Sequence, residues 1–417
     1  MRILKNIFFI VLVALLFSCK SQYYAIERDD YNSSDTAFAK YIQEQGITLT
    51  KGNKVDVLNG GQMKFDKMFR DIREAKHHIH LEYFNFRNDS INEILISLLA
   101  EKAAEGVEVR ALFDAFGNMS NNRPLKKKHL KEIRAKGIEI VKFDPITFPW
   151  LNHAYHRDHR KIVVIDGVIG YTGGINVADY YLTGLEGIGK WRDMHARVEG
   201  EVVNELQKIF LSMWNRETKQ NIGGEAYLPI QSKKGDAEIA VIDRWPTRNA
   251  EQMRYVYANA INAAKDSVQL ISPYFVPTKR VRKAIEKALK DSVKVEIMVS
   301  TKSDIPFTPE VTHYVAYQLM KKGADVYMYD GGFNHSKVMA VDGKLSTIGS
   351  TNLNSRSLCY DYESNLFILS NEDTNELLQY FNQDKKESHR LTREEWKKRS
   401  WWKKICGWLG NVLTPFM

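Results

Sequence analysis

The sequence predicts an α/β protein made of two duplicated α/β/α sandwich halves, with mostly parallel sheets, helices on both faces and one active site at the interface between the halves. Three observations predict this fold. Strand and helix patterns alternate along the chain, the same order of elements occurs twice, and each copy carries a polar cluster of identical spacing. A length of 417 residues is sufficient for two domains.

The first half alternates apolar strand patterns with amphipathic helix patterns. Two of its helix patterns are followed directly by a glycine, Gly106 and Gly137, as is typical of helix ends. The predicted helices cover residues 62–76, 91–105 and 125–136, and the predicted strands cover residues 79–83, 107–113 and 138–143. Such alternation indicates a largely parallel sheet with helices on both faces.

The second half repeats this order. Gly137 and Gly323 hold matching places, and so do Tyr83-Phe84 and Tyr274-Phe275. The predicted helices cover residues 255–264, 281–289 and 309–322, and the predicted strands cover residues 268–272, 293–299 and 325–329. The repeat is therefore an internal duplication, with a period too long for a solenoid.

The N-terminus resembles a targeting signal. Arg2 and Lys5 precede an apolar run over residues 7–17, too short for a membrane-spanning helix, and the segment ends in Ser18-Cys19, as in bacterial lipoprotein signals. The alternative is an uncleaved anchor with an incidental cysteine. The predicted division of the chain is a signal peptide (1–19), a polar segment (20–54), the first half (55–215), a linker (216–238), the second half (239–383) and a basic amphipathic tail (384–417).

Composition narrows the function classes. Hydrophobic residues make up 44% of the chain and charged residues 27%, which excludes disordered, collagen-like and polytopic membrane proteins. Sixty basic against 51 acidic residues leave a net charge of +9, which favours an anionic partner such as a phosphate polymer or a lipid surface. The three cysteines, Cys19, Cys359 and Cys406, are too few and too far apart for a disulfide framework or a thiolate metal site.

The strongest signal is a pair of polar clusters with equal spacing. In each, a lysine follows a histidine by two residues, an aspartate follows it by seven and an asparagine by seventeen. The clusters are His159, Lys161, Asp166 and Asn176 in the first half, and His335, Lys337, Asp342 and Asn352 in the second. Two copies with the same offsets cannot reasonably be chance.

These residue types suit a phosphodiester substrate. Residues two apart on a strand face the same side, so each histidine projects with its lysine. Lysine and asparagine can neutralise and orient nonbridging phosphate oxygens, while imidazole attacks phosphorus or delivers a proton. Two halves would supply a nucleophile and an acid. A lysine inside each cluster, and no histidine pair at ligand spacing with a third ligand, argue against zinc.

Several segments show a family resemblance over about residues 55–382. Besides the repeated HxKxxxxD signature, they are residues 81–84, 106–114, 173–176, 191–193, 273–277 and 349–357. The chain resembles the phospholipase D superfamily and, within it, the bacterial cardiolipin synthases. The resemblance implies transfer of a phosphatidyl group from one phosphatidylglycerol to another, giving cardiolipin and glycerol through a phosphatidyl-histidine intermediate, without metal or cofactor.

The resemblance also implies residue roles. His159 would be the nucleophile and His335 the acid/base, while Asp193 and Glu363 would orient the two imidazoles. The phosphate would be held by Lys161, Lys337, Asn176 and Asn352. Asp166 and Asp342 complete the catalytic signature, where we expect them to secure a turn rather than touch substrate.

Three alternatives to the synthase function stay open. They are a phospholipase D releasing phosphatidic acid, a nuclease with the same histidines, and a nonenzymatic lipid-binding protein.

The C-terminal tail predicts a membrane contact. Residues 385–404 contain nine lysines or arginines and three glutamates. On a helical wheel, an apolar face gathers Trp401, Trp402, Ile405, Trp408, Leu409, Val412 and Leu413, opposite Lys403, Lys404, Gly407, Gly410 and Asn411. The alternative is a helix docked on the protein's own core. We therefore expect a peripheral or lipid-anchored protein on the periplasmic side of the bacterial cell membrane. Its expected partners are phosphatidylglycerol and other anionic phospholipids, and not nucleic acid.

Overall fold

The computed structural model describes residues 34–145 and 155–412. The expected signal peptide with Cys19, and Leu413 of the tail, lie outside these residues. The helices are α1 (Ser34–Glu44), α2 (Gly61–Glu74), α3 (Ser90–Ala104), α4 (Ala115–Ser120), α5 (Lys127–Ala135), α6 (Tyr180–Thr183), α7 (Val202–Thr218), α8 (Gln252–Ala263), α9 (Lys279–Lys290), α10 (Thr308–Met320), α11 (Ser355–Cys359), α12 (Asn371–Lys386), α13 (Arg393–Lys398) and α14 (Trp401–Val412).

The strands number seventeen within the described residues. They are β1 (Leu49–Asn59), β2 (His78–Tyr83), β3 (Glu108–Asp114), β4 (Glu139–Phe143), β5 (Lys161–Ile165), β6 (Ile169–Gly173), β7 (Lys190–Arg192), β8 (Met194–Glu199), β9 (Ala237–Arg244), β10 (Ser267–Ile271), β11 (Lys294–Ser300), β12 (Asp325–Tyr329), β13 (Gly332–Asn334), β14 (Val338–Val341), β15 (Leu345–Gly349), β16 (Glu363–Leu369) and β17 (Ser388–Arg390). Every helix and strand predicted in the two halves is confirmed, with ends shifted by at most three residues.

Fifteen of these strands form one sheet that runs through both halves. Their order is β17-β12-β11-β10-β14-β15-β16-β9-β1-β8-β6-β5-β2-β3-β4, with β1 and β9 joining the halves at the centre. The two flanks repeat the same arrangement, which confirms the duplicated α/β fold. An apolar core shared by both halves lies at the junction and includes Val57 and Ile162 from the first half and Ile271 and Val338 from the second.

The expectation of mostly parallel sheets is wrong in detail. Only four pairings of the large sheet within the described residues are parallel, namely β2–β3, β3–β4, β10–β11 and β11–β12. The other pairings are antiparallel because β5 and β6, and likewise β14 and β15, form hairpins beside β2 and β10 without a crossover helix. The helix–strand alternation predicts only the outer part of each half.

The register also corrects one sequence equivalence. Ile79 pairs with Ile165, and Val268 pairs with Val341, four residues after each signature lysine. Counted from these pairs, Tyr83 corresponds to Ser272 and not to Tyr274. The similarity of the two aromatic dipeptides is therefore not a structural equivalence.

Segments outside the two halves pack on them. Helix α1, within the expected polar segment, lies on the second half, where Phe38 stacks on Phe367 with ring centroids 5.5 Å apart. In the expected linker, Tyr227 Oη donates to Glu108 Oε2 of the first half (2.5 Å). Helix α12 continues across the expected boundary at 383/384 to Lys386.

Over the described ranges, 34–145 and 155–412, no helix has the length and apolarity to cross a bilayer.

Candidate active site

Each signature histidine is held by backbone pairing with the other half. The amide of His159 donates to the carbonyl of Tyr362 (3.0 Å), whose own amide donates to the carbonyl of Arg157 (2.8 Å). Tyr362 immediately precedes Glu363, the first residue of β16. The segment that carries His159 is thereby fixed beside a carboxylate of the second half.

His335 is held in the same way, with the roles of the two halves exchanged. Strands β13 and β7 pair in parallel, with Asn334 opposite Arg192, and the amide of His335 donates to the carbonyl of Arg192 (2.6 Å). Asp193 follows directly. The short two-stranded sheet between the halves therefore places His335 beside a carboxylate of the first half.

The side chains of the histidines also contact the opposite half. His159 Nδ1 lies 3.0 Å from Glu363 Oε1, and His335 Nδ1 lies 2.7 Å from Asp193 Oδ2. Both carboxylates are fully buried. In each pair the carboxylate contacts Nδ1, so it favours the tautomer that leaves Nε2 as the nucleophilic or proton-transferring atom. Asp193 and Glu363 thus occupy positions suited to the expected orienting role, each acting on the histidine of the opposite half.

The two lysines lie at the base of the same site. Lys161 Nζ donates to the carbonyl of His159, and Lys337 Nζ donates to the carbonyl of His335 and lies 2.9 Å from His335 Nδ1. Burial lowers the pKa of Lys161 to about 7 and that of Lys337 to about 8. The charges of Asp193 and Glu363 act on both lysines and oppose this lowering.

The pKa values of His159 and of its partner Glu363 are both lowered. Burial, followed by the charge of Lys161, lowers the pKa of the His159 imidazole to about 4. Burial alone would raise the pKa of Glu363, but His159, Lys161 and the donated hydroxyl of Ser350 lower it to about 2. Burial and Lys337 also lower the pKa of His335. A neutral imidazole beside an ionised carboxylate is the state required of a nucleophile.

The signature aspartates accept hydrogen bonds from backbone amides. Asp166 accepts from the amides of Lys76, His77 and His78 (2.8–3.0 Å). Asp342 accepts from the amides of residues 265–267 (2.8–2.9 Å). Both aspartates have positive φ, at the turns that follow β5 and β14. Both aspartates therefore lie at turns, as expected from their position after an apolar strand, and their grouping with the catalytic residues stays a prediction.

The side chains of Asn176 and Asn352 are both buried. Asn176 Nδ2 donates to Tyr181 Oη (3.2 Å), and its Oδ1 accepts from the amide of Asn85 (3.3 Å). Asn352 Nδ2 contacts Ser357 Oγ at 3.4 Å, and its Oδ1 has no hydrogen-bond partner within the described residues. Both side chains remain candidates for contact with a phosphate.

Sequence reasoning missed the aromatic rings around the histidines. Trp191, Phe333 and Tyr274 surround His335, with ring centroids 5.5, 5.6 and 6.2 Å from the imidazole. Phe84 packs edge-on against His159 at 5.0 Å. Tyr274 also belongs to a buried apolar cluster of the first half, and an aromatic residue just after a strand has no sequence feature that separates a core position from a position beside a site. The rings place an apolar surface beside each imidazole.

Comparison with known proteins identifies the family. The sequence profile of the family described as "Cardiolipin synthase, PLD-like domain" matches residues 68–214 and 257–385, one segment for each half. The chain belongs to this family of phospholipase D-like phosphatidyltransferases. Among its relatives, cardiolipin synthase 2 of Staphylococcus epidermidis is 35% identical over 415 residues, covering 97% of this chain and 84% of the relative. The cardiolipin synthase of Listeria monocytogenes is 34% identical, with 96% and 84% covered.

Solved structures show the same fold at low sequence identity. A phosphatidylserine synthase of Haemophilus influenzae superimposes with a TM-score of 0.68 at 14% identity, covering 91% of this chain and all of that chain. A polyphosphate kinase of Porphyromonas gingivalis superimposes with a TM-score of 0.54 at 13% identity, covering 91% of this chain and 53% of the kinase. At these identities the likeness concerns the fold alone.

Proposed function

We propose that this member of the cardiolipin synthase family transfers a phosphatidyl group from one phosphatidylglycerol to a second, giving cardiolipin and glycerol. The observation that carries the proposal is the crossed pair of contacts, His159 with Glu363 and His335 with Asp193, which unites both signatures in one site. A single site with two oriented imidazoles and two lysines suits a two-step transfer on a phosphodiester.

In the first step, Nε2 of His159 attacks phosphorus and the bond from phosphorus to the glycerol oxygen breaks. His335 gives its proton to that oxygen, and glycerol leaves. The product is a phosphatidyl-histidine. The charges of Lys161 and Lys337, with the amides of Asn176 and Asn352, stabilise the nonbridging oxygens, so the reaction needs no metal or other cofactor.

In the second step, a hydroxyl of another phosphatidylglycerol attacks phosphorus and gives its proton to His335. The bond from phosphorus to His159 breaks, and cardiolipin is released. Water at the same position would give phosphatidic acid. The aromatic rings about His335 favour the lipid alcohol, because they leave an apolar, water-poor surface beside the acid/base.

Product analysis by mass spectrometry tests this function. Protein lacking residues 1–19 is mixed with phosphatidylglycerol vesicles and a metal chelator, beside His159→Ala and His335→Ala proteins. We expect cardiolipin and free glycerol from the first protein and neither from the variants. Phosphatidic acid alone would mean hydrolysis. Loss of activity with the chelator would overturn metal independence, and turnover of nucleic acid instead of lipid would overturn the substrate.

We also propose that the chain is held at the bacterial cell membrane, on the periplasmic side, by lipid on Cys19. The support is the apolar run of residues 7–17 with a serine immediately before the cysteine. Metabolic labelling with palmitate should mark the full chain and not its Cys19→Ser variant. Labelling of both proteins, or of neither, would contradict the lipid anchor.

A further inference from the structure

We propose that helix α14, helix α9 and residues 301–307 together form one docking surface for an anionic phospholipid bilayer, which holds the His335 side of the active site against the lipid. We call helix α14 the tail helix and residues 301–307 the rim loop. The inference rests on the proposed function for the lipid nature of the substrate. The docking surface itself is supported by the way the tail helix packs on α10, with its apolar face exposed.

The tail helix presents its apolar face outward. Trp401, Trp402, Ile405, Trp408, Leu409 and Val412 are between 38% and 70% exposed. The preceding helix α13 behaves differently, since Trp396 is buried and stacks on Tyr317 of α10 with ring centroids 4.2 Å apart. A contiguous row of exposed tryptophan and aliphatic side chains is costly in water and is typical of an interaction site. Tryptophan is enriched at the membrane–water interface.

Two glycines on the opposite face fix this orientation. A Cβ on Gly407 would lie 2.6 Å from the carbonyl oxygen of Glu310, and a Cβ on Gly410 would lie 2.2 Å from Cγ2 of Val311. Glu310 also pairs with Arg399, just before the tail helix. Because any larger side chain would separate the helices, the tail helix docks on α10 through its glycines. The tail helix is thereby fixed against the second half, and none of the described residues covers its apolar face.

The charge around this face selects an anionic partner. Helix α9 carries six basic residues and one acidic residue, and its Arg282 donates to Asn411 of the tail helix (3.2 Å). Lys397 and Lys398 of helix α13 are exposed beside it. A tryptophan-rich face flanked by lysine and arginine matches the interface of a bilayer that contains anionic lipid.

The rim loop connects this surface to the reacting groups. Ile305 and Phe307 are 47% and 71% exposed, and Phe307 lies one helical turn before Val311, on which Gly410 packs. In the same loop, Asp304 Oδ1 accepts from Tyr274 Oη (2.6 Å), and the Tyr274 ring lies 6.2 Å from the His335 imidazole. Lipid bound to the tail helix would therefore adjoin the edge of the site.

The first test separates surface binding from catalysis. Trp401, Trp402 and Trp408 are replaced together by serine, and a matched control replaces three exposed apolar residues elsewhere, Met63, Ile94 and Ile230, in the same way. Binding is measured by sedimentation with phosphatidylglycerol vesicles and with phosphatidylcholine vesicles. Turnover is measured on these phosphatidylglycerol vesicles and on a short-chain phosphatidylglycerol kept below its micelle concentration.

We expect the tryptophan variant to bind anionic vesicles on the order of 100-fold more weakly than the control, with turnover on the monomeric lipid within about twofold. Unchanged vesicle binding would overturn the docking surface. Equal binding of the parent protein to both kinds of vesicle would overturn its preference for anionic lipid. Failure of the parent protein to act on either form of phosphatidylglycerol would instead overturn the proposed function, whatever the binding results.

The second test asks whether rigid docking matters. Gly407→Val should push the tail helix off α10 while keeping its apolar face, and Gly223→Val is the control, because a Cβ at Gly223 meets nothing within 4 Å. We expect Gly407→Val to bind vesicles as the parent does, yet to lose about tenfold in turnover on vesicles and nothing on the monomeric lipid. Full turnover on vesicles would mean that the tail is only a tether, and would overturn the fixed orientation. Reduced turnover on the monomeric lipid would place the defect inside the active site and would likewise overturn it.

Discussion

His159 and Glu363 are 204 positions apart in the chain, yet His159 Nδ1 lies 3.0 Å from Glu363 Oε1. The contact exists because Tyr362, immediately before Glu363, pairs through its backbone with both Arg157 and His159. Asp193 and His335 repeat the arrangement in the opposite direction. Neither half therefore contains a complete histidine–carboxylate pair of its own, and the site depends on the assembled duplication.

Replacement of Glu363 by glutamine should reduce kcat by about 100-fold or more, because the amide leaves the His159 imidazole without an ionised partner. Asp193→Asn should act similarly through His335. The check is steady-state cardiolipin formation by protein whose circular dichroism matches that of the parent. Glu372→Gln, an exposed change in α12, serves as the control. A loss of less than about threefold at Glu363 would contradict the orienting role.

Replacement of Asp166 by alanine should lower stability rather than intrinsic activity. Three backbone amides would lose their acceptor at a residue with positive φ, a loss of about 2–3 kcal/mol in the free energy of unfolding. Urea titration measures it, and Asp166→Asn should lose less because asparagine keeps one acceptor oxygen and tolerates this backbone conformation. The turn assignment would fail if the alanine protein were fully stable but inactive.

Activity should fall at alkaline pH as the lysines lose their protons. With pKa values of about 7 for Lys161 and about 8 for Lys337, the charged forms that hold the phosphate are lost as pH rises through this range. We therefore expect kcat/KM on the monomeric lipid to decline above about pH 7–8. Lys161→Arg, whose guanidinium stays charged, should keep more of its activity at pH 9 relative to pH 7. A profile that is flat to pH 10 in the parent protein would exclude this role.

Asp384 should act as a positioning residue for the His335 pair. Its Oδ1 accepts from Arg192 Nε (3.0 Å) and its Oδ2 accepts from Asn334 Nδ2 (2.9 Å), the residues just before Asp193 and His335. Asp384→Asn should lower kcat about tenfold with little change in KM, because the imidazole and its carboxylate would lose their fixed spacing. A shift of the pH profile should accompany this loss. Unfolding without that shift would mean a purely structural role.

The sequence was sufficient to predict the helices and strands, and insufficient to predict their arrangement. Periodicity located the strands around Lys161 and Lys337, because buried strands have a strong apolar signal. It could not show that β5 and β6 turn back as a hairpin, which made the sheet more antiparallel than expected. Nor could spacing reveal that Glu363 contacts His159, since that pairing is set by contacts between the halves. The sequence also could not show that Tyr274 lies beside His335, because that contact depends on the three-dimensional arrangement and not on residue type.

The covalent step offers the most direct test of the central claim, a nucleophile in one half and an acid/base in the other. A phosphatidyl ester of p-nitrophenol has a leaving group that departs without a proton. On mixing with this ester, the His335→Ala protein should release about one equivalent of p-nitrophenol and keep the phosphatidyl group on the peptide that contains His159, as seen by mass spectrometry. A stable adduct on any other residue, or a burst of the same size from His159→Ala protein, would contradict the account.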